Sequence, residues 1–196
     1  MNRLILIRHG ATAGNLQRRY IGRTDEPLCE TGIQQVLALR EHHLCADLLF
    51  VSPMLRTRQT AELLFPQLTP VVVHGLAETD FGLFEGLNAD DLAGSSAYRS
   101  WVDDECRGPI PGGESPDHFK KRCCTAFIHT MHTVPDGACA AFAVHGGVIM
   151  AVLEAFALPQ RNFYQYHIGN GGYVLCEYAP ESLRIVTTFQ GGQAKK

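Results

Sequence analysis

The chain opens with the run Leu4-Ile5-Leu6-Ile7-Arg8-His9-Gly10, in which four apolar residues are followed at once by a cation, an imidazole and a glycine. The apolar part predicts a buried strand. In open α/β folds, ligands bind at the carboxyl ends of the strands, so we expect Arg8 and His9 to stand at the ligand-binding edge of a sheet. A guanidinium and an imidazole at that edge indicate a phosphate site.

Composition and charge limit the kinds of protein this chain can be. With 196 residues, 45% of them hydrophobic, the chain can form one domain that buries roughly 70% of its unfolded surface. The formal net charge of -3 gives no field that would attract nucleic acid or an anionic membrane, so any anion must be bound by a local cluster. We therefore expect no nucleic-acid partner and no membrane partner.

The N-terminal run and the cysteines indicate the compartment. The apolar run is far shorter than a signal-peptide core or the roughly 20 residues of a membrane span. The seven cysteines are scattered, odd in number and without a Cys-x-x-Cys pair, which argues against a disulfide framework or a zinc site. These features predict a cytoplasmic protein with reduced thiols.

Strand and helix signals alternate along the chain and predict an α/β fold, a three-layer α/β/α sandwich around a mostly parallel central sheet. The predicted strands are residues 3–8, 47–51, 70–74, 138–144, 172–178 and 183–189. Helices are predicted over 31–44, from an N-cap at Ser52 with Pro53 in the first turn to about residue 65, from Ser115-Pro116, and from Gly146-Gly147.

The domain organisation follows from the same alternation. We expect a single domain with one hydrophobic core over residues 1–190. Residues 79–113 interrupt the alternation and are rich in Gly, Asp and Ser, with Tyr98 and Trp101 in a short helical stretch. This segment is predicted to be a lid-like insertion. Residues 191–196 are expected to form a flexible tail.

Polar side chains follow four predicted strands at the points where the strands end. They are Arg8 and His9 after the first strand, Ser52 and Arg56 after the second, Glu78 after the third and His145 after the fourth. Because the carboxyl ends of parallel strands meet at one edge of a sheet, these groups can converge on a single crevice. Each residue alone is more often a surface group, but the set suits a phosphate monoester.

The residue types suggest roles in phosphate chemistry. The planar forks of Arg8 and Arg56 can hold a dianion by paired charge-assisted hydrogen bonds. His9 is the candidate nucleophile, because the Arg-His-Gly turn restricts its ring. His145 is the candidate electrostatic partner, helped by amide groups expected to be free at Gly146 and its neighbour Gly147 at the start of a helix.

The acid of the predicted site is a carboxylate. Glu78 would protonate the departing oxygen and then accept a proton from the attacking water. Asp80 is close by and competes for this role. Gly10 is expected to let the backbone approach the bound group closely. No metal or other cofactor is predicted, because the histidines outside the set lack carboxylate or cysteine partners at ligand spacing.

Four ordered blocks of sequence cover nearly the whole chain. They are Leu6-Ile7-Arg8-His9-Gly10 with Thr12, Asn15, Tyr20, Gly22, Asp25, Pro27-Leu28 and Gly32; Ser52 to Ala61; Glu78 with Phe81-Gly82 and Phe84-Glu85-Gly86; and Val144-His145-Gly146-Gly147. Together they resemble the signature of the histidine phosphatase superfamily, also called the phosphoglycerate mutase-like family.

This resemblance implies a phosphoglycerate mutase-like fold and a phosphohistidine mechanism, with His9 phosphorylated and Glu78 as proton donor. It also implies that Asn15 and the backbone near Gly22 and Gly146 contact the phosphate, beside Arg8, Arg56 and His145. Two positions depart from the family pattern. Ile21 replaces the hydroxyl residue of the mutases, and Cys29 replaces a helix-capping threonine, at a cost of around 1 kcal/mol.

The segment after Glu78 bears on which reaction is catalysed. A mutase must hold a second acidic group, yet only Arg99 and Arg107 are basic between Glu78 and Glu114. We therefore expect a phosphatase acting on a small-molecule phosphate monoester, with a bisphosphate-dependent phosphoglycerate mutase and a non-catalytic phospholigand-binding protein as alternatives. The oligomeric state is not predicted.

Aromatic residues in this segment suggest a substrate. The set Phe81, Phe84, Tyr98 and Trp101 suits stacking on a ring of the leaving group. The arrangement resembles the alpha-ribazole phosphatases of cobalamin nucleotide-loop assembly. An equally good interpretation is that these rings form the core of the lid.

Overall fold

A seven-stranded sheet forms the middle of the computed structural model, which describes residues 1–192. The strands are β1 (Asn2–Arg8), β2 (Leu48–Val51), β3 (Val71–Val72), β4 (Cys139–Val144), β5 (Ala157–Leu158), β6 (Tyr173–Ala179) and β7 (Ser182–Phe189). Their order in the sheet is β3-β2-β4-β1-β6-β7-β5. The first four strands of that order are mutually parallel, whereas β6 runs antiparallel to both of its neighbours.

Six α-helices connect the strands. They are α1 (Ala13–Leu16), α2 (Glu30–Ala38), α3 (Leu55–Leu64), α4 (Ser96–Asp103), α5 (Pro116–Met131) and α6 (Gly146–Phe156). Short 3₁₀ turns cover Leu39–His42, His74–Leu76, Gly82–Phe84 and Phe163–Tyr166. The helices pack on both faces of the sheet, which confirms the predicted α/β architecture with a mostly parallel sheet.

Side-chain alternation along β1 explains the three layers. Leu4 and Leu6 point into a buried cluster under α5 and α6, while Ile5 and Ile7 point into a second cluster under α2 and α3. A strand covered on both faces must be apolar at every position, which is what the opening run shows. The prediction of one core was wrong, since the sheet itself separates the buried residues into two clusters.

The predicted elements are largely present, with corrections at their ends. The helix predicted over 31–44 ends earlier, at Ala38, and continues as a 3₁₀ turn. The predicted strand 70–74 is reduced to two residues, and β5 was not predicted. Helix α5 begins as predicted, because the Ser115 side chain accepts a hydrogen bond from the amide of His118.

The predicted N-cap at Ser52 was wrong. Helix α3 begins at Leu55, three residues later, and the amide of Leu55 donates to Asp25 Oδ1 at 2.6 Å. Ser52 instead turns inward to the site described below. Cys29 caps α2 without a side-chain hydrogen bond to the helix, as predicted for this substitution, and its thiol donates to the carbonyl of Ala11 at 3.3 Å.

Residues 79–113 contain a 3₁₀ turn, helix α4 and a hydrophobic cluster of their own. The buried members of this cluster are Phe84, Leu92, Trp101 and Ile110. Of the predicted tail, residues 193–196 lie outside the described residues. All seven cysteines are free. No helix within residues 1–192 is long and apolar enough to cross a membrane.

Candidate active site

Strand register brings the predicted site residues together. In the parallel pair of β1 and β4, Arg8 lies opposite Val144, so His9 and His145 leave the sheet side by side. In the pair of β2 and β4, Val51 lies opposite Ala143, which places Ser52 at the same edge. The residues that follow these three strands therefore share one buried crevice.

The His9 ring is held in a fixed orientation. Its Nδ1 lies 2.7 Å from the carbonyl oxygen of Gly10, which can only accept, so Nδ1 carries the hydrogen and donates it. The other ring nitrogen, Nε2, is then unprotonated in the neutral ring and has a lone pair to offer. The His9 backbone amide donates to Val144 at 3.0 Å, and the side chain is 4% exposed.

His145 faces His9 edge-on. The two ring centroids are 5.2 Å apart at an interplanar angle of 69°. His145 Nε2 lies 2.7 Å from the hydroxyl oxygen of Ser52, whose Oγ is also 3.0 Å from Thr57 Oγ1. His145 Nδ1 is buried and has no partner among residues 1–192.

Arg56 is fully buried and is held by the loop that precedes α2. Its Nη1 donates to the carbonyl of Thr24 at 2.8 Å, and its Nη2 donates to the carbonyl of Gly22 at 2.9 Å. Arg8 is held on the other side, where its Nη1 donates to the carbonyl of Ile168 at 2.6 Å and contacts His167 Nε2 at 3.2 Å.

Three buried nitrogens at this edge have no hydrogen-bond partner within the described residues. They are Arg8 Nε, Arg56 Nε and His145 Nδ1. Buried polar groups in proteins are almost always hydrogen-bonded, so a cluster of unpaired nitrogens indicates a place for a ligand. The two arginine nitrogens can only donate, and two guanidinium groups favour an anion.

Burial and the arginines tune both rings. Desolvation lowers the pKa of His9 and of His145 well below the ordinary value, and the positive charges of Arg56 and Arg8 lower both further. Both rings are therefore neutral at neutral pH. For His9 this means that Nε2 keeps the lone pair needed for nucleophilic attack.

Glu78 lies beside the buried cluster. Its Oε2 accepts a hydrogen bond from the amide of Gly147 at 3.1 Å, and its Oε1 accepts one from the amide of Thr79 at 2.9 Å. Asp80, the competing carboxylate, is held elsewhere, by the amide of Gly82 at 3.0 Å and by an ion pair with Arg23 at 2.9 Å. The geometry favours Glu78 as the carboxylate next to the histidines.

One expectation about the glycines was wrong. The amide of Gly147 is not free, because it donates to Glu78. Gly10 also permits close approach of helix α2, since a Cβ at this position would lie 2.3 Å from the carbonyl oxygen of Gly32, and its predicted approach to the bound group stays a prediction. Gly146 packs against Arg8, whose Cζ would be 3.2 Å from an added Cβ.

Asn15 and Gly22 lie close to the cluster, and their predicted contacts with phosphate stay predictions. Asn15 Oδ1 accepts from Asn170 Nδ2 at 3.1 Å, and the same nitrogen donates to the carbonyl of His9 at 3.2 Å. The amide of Gly22 donates to Glu85 Oε1 at 2.8 Å, while its carbonyl holds Arg56. Gly22 therefore supports an arginine of the site.

Sequence reasoning missed two supporting residues. His167 contacts Arg8 but lies in a turn that carries no strand or motif signal. Glu85 is in the third sequence block, and its Oε1 accepts three hydrogen bonds from Gly22 and Thr24, which positions the carbonyls that hold Arg56. The supporting role of Glu85 could be inferred from sequence only through its place in that block.

The aromatic rings of residues 79–113 form a core. Phe84 and Trp101 are buried and contact Tyr20 and Tyr98 at centroid distances of 5.4 to 6.4 Å, and Tyr20 contacts Phe81 at 5.3 Å. Tyr20 and Tyr98 also share a hydroxyl contact of 2.9 Å. Of the two interpretations of these rings, the structure therefore favours a lid core over stacking on a substrate.

A family model described as the histidine phosphatase superfamily, branch 1, matches residues 4–190. The chain belongs to this superfamily. This confirms the family to which the four sequence blocks pointed. Residues 1–192 contain no group of three or more His, Cys, Asp or Glu side chains that could hold a metal ion.

Known proteins of the superfamily resemble the chain over most of its length. A structure from Escherichia coli str. K-12 substr. MG1655, provisionally described as an alpha-ribazole-5'-P phosphatase, is 25% identical with a TM-score of 0.84 and 95% coverage of both chains. The phosphoglycerate mutase structure from Thermus thermophilus is 30% identical, with a TM-score of 0.73 and coverage of 95% and 97%.

A curated relative is also named as a mutase. The 2,3-bisphosphoglycerate-dependent phosphoglycerate mutase 2 of Gloeobacter violaceus is 30% identical over 163 residues, which is 76% of this chain and 73% of that one. The phosphoglycerate mutase-like fold is thus confirmed. The relatives include both phosphatases and mutases.

Proposed function

We propose that this protein is a metal-independent phosphomonoesterase that hydrolyses a small phosphorylated metabolite through a phosphohistidine at His9. One observation carries the proposal. Buried nitrogens of Arg8, Arg56 and His145 that lack hydrogen-bond partners share the sheet edge with His9, whose Nδ1 hydrogen is donated to Gly10. This arrangement supports binding of a tetrahedral anion in line with a free Nε2.

The first step transfers the phosphoryl group to the enzyme. His9 Nε2 forms a bond to phosphorus as the bond between phosphorus and the ester oxygen breaks. Arg8, Arg56 and His145 donate to the phosphoryl oxygens and stabilise the charge that gathers there. Glu78 gives its proton to the departing oxygen, which leaves as an alcohol.

The second step releases phosphate. Water attacks phosphorus, Glu78 accepts a proton from that water, and the bond to Nε2 breaks, so that neutral His9 and inorganic phosphate are formed. Glu78 Oε1 accepts from the amide and the hydroxyl of Thr79, at 2.9 and 3.4 Å, whereas within the described residues Oε2 accepts only from the amide of Gly147, at 3.1 Å. A carboxyl oxygen has two lone pairs, so Oε2 keeps one with which to exchange a proton.

The test combines kinetics with trapping of the intermediate. Hydrolysis of p-nitrophenyl phosphate is measured in excess chelator for the wild type and for His9→Ala, which we expect to lose about 10⁴-fold or more in kcat. Quenching the wild type in base during turnover should trap a base-stable, acid-labile phosphoryl label that His9→Ala lacks. The matched control is His129→Ala, an exposed histidine on α5 that should leave kcat unchanged.

Two outcomes would overturn the proposal. Hydrolysis retained by His9→Ala would remove this residue from the mechanism, and activity abolished by chelator would contradict metal independence. Steady-state phosphate release by the wild type would dispose of the non-catalytic binding protein.

We further propose alpha-ribazole 5'-phosphate as the first physiological substrate to test. The support is the description of the similar Escherichia coli structure, together with the shortage of basic residues after Glu78. A panel with phosphoglycerates and sugar phosphates, compared by kcat/KM, tests it. A preference of less than about tenfold for the riboside would withdraw this substrate.

The names of the mutase relatives favour a second candidate function, a bisphosphate-dependent phosphoglycerate mutase. It predicts conversion of 3-phosphoglycerate to 2-phosphoglycerate, stimulated by 2,3-bisphosphoglycerate. Absence of the isomer under those conditions excludes it.

A further inference from the structure

A cavity of about 450 Å³ adjoins the candidate general acid. Its lining includes Gly22 and Glu78, which also belong to the phosphate cluster, together with Arg23, Asp80 and Arg122. An alcohol that takes its proton from Glu78 must lie next to this carboxylate. The cavity is therefore the place where the leaving group of the proposed reaction would sit.

The arginines of this cavity are already paired. Arg122 forms a bidentate pair with Glu114 at 2.9 and 2.7 Å, and its Nη1 donates to the carbonyls of Gly75 and Ala77 at 2.9 and 3.0 Å. Hydrogen bonding to Glu114 raises the pKa of Arg122. Arg23 Nε pairs with Asp80 Oδ2 at 2.9 Å. Each guanidinium is thus paired with a carboxylate, Arg122 through Nε and Nη2 and the exposed Arg23 through Nε alone.

Asp80 is fixed in this cavity on both of its oxygens. Oδ1 accepts from the amide of Gly82 at 3.0 Å while Oδ2 faces Arg23. The Asp80 side chain is 22% exposed, whereas that of Arg23 is 76% exposed. The carboxylate is thus the more buried and better-held member of the pair, so its negative charge is felt more strongly inside the cavity.

We infer that the cavity accepts a neutral, hydroxyl-bearing leaving group, and that Asp80 is a specificity-determining residue that rejects leaving groups with a second anionic group. The inference rests on the proposed phosphatase function and extends it to the substrate class. Hydroxyl groups can donate to Asp80 and Glu114 without displacing an arginine. A carboxylate or a second phosphate would face Asp80, and like charges in contact are unfavourable.

The test compares two substrates that differ in one group. Glucitol 6-phosphate and 6-phosphogluconate share the phosphate ester and an open six-carbon chain, but only the second carries a carboxylate. Both substrates are measured at the same pH, because His74 and His118 also line the cavity. We expect kcat/KM to favour the neutral substrate by about tenfold or more.

Two substitutions should change the ratio of kcat/KM for the neutral substrate to kcat/KM for 6-phosphogluconate, in opposite directions. Asp80→Asn keeps the oxygen that accepts from Gly82 but removes the charge and frees Arg23, and should lower the ratio about tenfold. Arg23→Gln leaves Asp80 without its cation and should raise the ratio, by about threefold for so exposed a pair. A ratio within one variant cancels any loss of catalysis or folded protein common to both substrates.

The control is Asp90→Asn, which removes an exposed carboxylate from the same segment. It should leave the ratio unchanged. A wild type that prefers 6-phosphogluconate, a ratio unaltered in Asp80→Asn, or turnover of p-nitrophenyl phosphate with neither six-carbon substrate hydrolysed would each overturn the inference. If p-nitrophenyl phosphate is not turned over either, the proposed function itself fails.

Discussion

The two sides of Glu78 contrast in burial and in hydrogen bonding. On one side, His9, Arg56 and His145 are 4%, 0% and 0% exposed, and buried nitrogens of Arg8, Arg56 and His145 lack partners within the described residues. On the other side, Arg23 and Asp80 are partly exposed and form an ion pair. In the proposed reaction, the phosphate that every substrate shares would meet the unpaired nitrogens, whereas the variable leaving group would meet the paired charges.

This contrast predicts different responses to substitution. In the buried cluster, removal of one partner leaves another polar group buried without a hydrogen bond, which lowers stability by about 1–3 kcal/mol. In the exposed cavity, water replaces a lost partner, and effects show mainly as ratios between substrates. Residues 79–113 add a third kind of region, an aromatic core whose contacts serve stability.

Among residues that support the site, the largest effect is expected on the buried side of Glu78. Ser52→Ala removes the hydroxyl at 2.7 Å from His145 Nε2, so the buried ring loses its one partner among the described residues. We expect kcat for p-nitrophenyl phosphate to fall about 10- to 100-fold, because nothing then orients His145 Nδ1 toward the phosphate. KM and the pH profile are measured alongside, since loss of the oriented tautomer should alter the profile.

Thr130→Val is the matched control for Ser52→Ala. Thr130 is also a buried hydroxyl residue, but its Oγ1 donates to the carbonyl of Ala126 within α5, far along the chain from the sheet edge. It should lower stability without altering kcat. Equal kcat values for Ser52→Ala and the wild type would show that the hydroxyl does not orient His145.

The residues at the sheet edge could be predicted because the signal lies in short runs of neighbouring residues. An apolar run ending in Arg8 and His9 defines a strand and its carboxyl end, and parallel strands bring such ends together. The place of Ser52 at this edge was predicted, but its predicted role as a helix N-cap was wrong, because its hydroxyl contacts His145 once β2 and β4 pair. A one-dimensional pattern does not contain that contact.

The other regions depend on contacts between distant segments. The aromatic core of residues 79–113 is completed by Tyr20, and the cavity charges are paired by Arg23 and Arg122. From composition alone, stacking on a substrate remained a possible role for these rings, because the sequence does not show which face of each ring is covered. The shortage of cations after Glu78 was visible, but their pairing was not.

The second prediction concerns stability and pH. Burial, with Arg56 and Arg8, lowers the pKa of both His9 and His145 in the folded protein below 6.5. Below pH 6.5 the unfolded chain therefore binds protons that the folded protein does not. Stability should fall with decreasing pH from 6.5 down to the folded pKa values, by about 1.4 kcal/mol per pH unit for each ring.

Denaturant unfolding between pH 7.5 and 5.5 measures this slope. His9→Asn, whose amide can still donate to Gly10, should remove about half of it, because one titrating ring remains. Replacement of the exposed His132 by Gln is the control. The same slope in His9→Asn and the wild type would show that His9 is not held neutral by its surroundings.

The smallest expected effects lie in the aromatic core. Tyr98→Phe removes the hydroxyl that contacts Tyr20 and should cost about 1 kcal/mol. The indole nitrogen of Trp101 is buried without a partner in residues 1–192. Trp101→Phe loses contact area but also removes this unsatisfied donor, so the free energy of unfolding should change by less than about 1 kcal/mol.

The KM of Trp101→Phe tests whether the aromatic core contacts the leaving group. Trp101 packs against Phe84 and Tyr98, at centroid distances of 5.5 and 6.1 Å, and is 9% exposed. A ring so enclosed has no face to offer a substrate, so KM for the preferred substrate should stay within about twofold in Trp101→Phe. A KM raised tenfold with unchanged stability would mean that the indole contacts the leaving group, and the contrast between core and cavity would have to be redrawn.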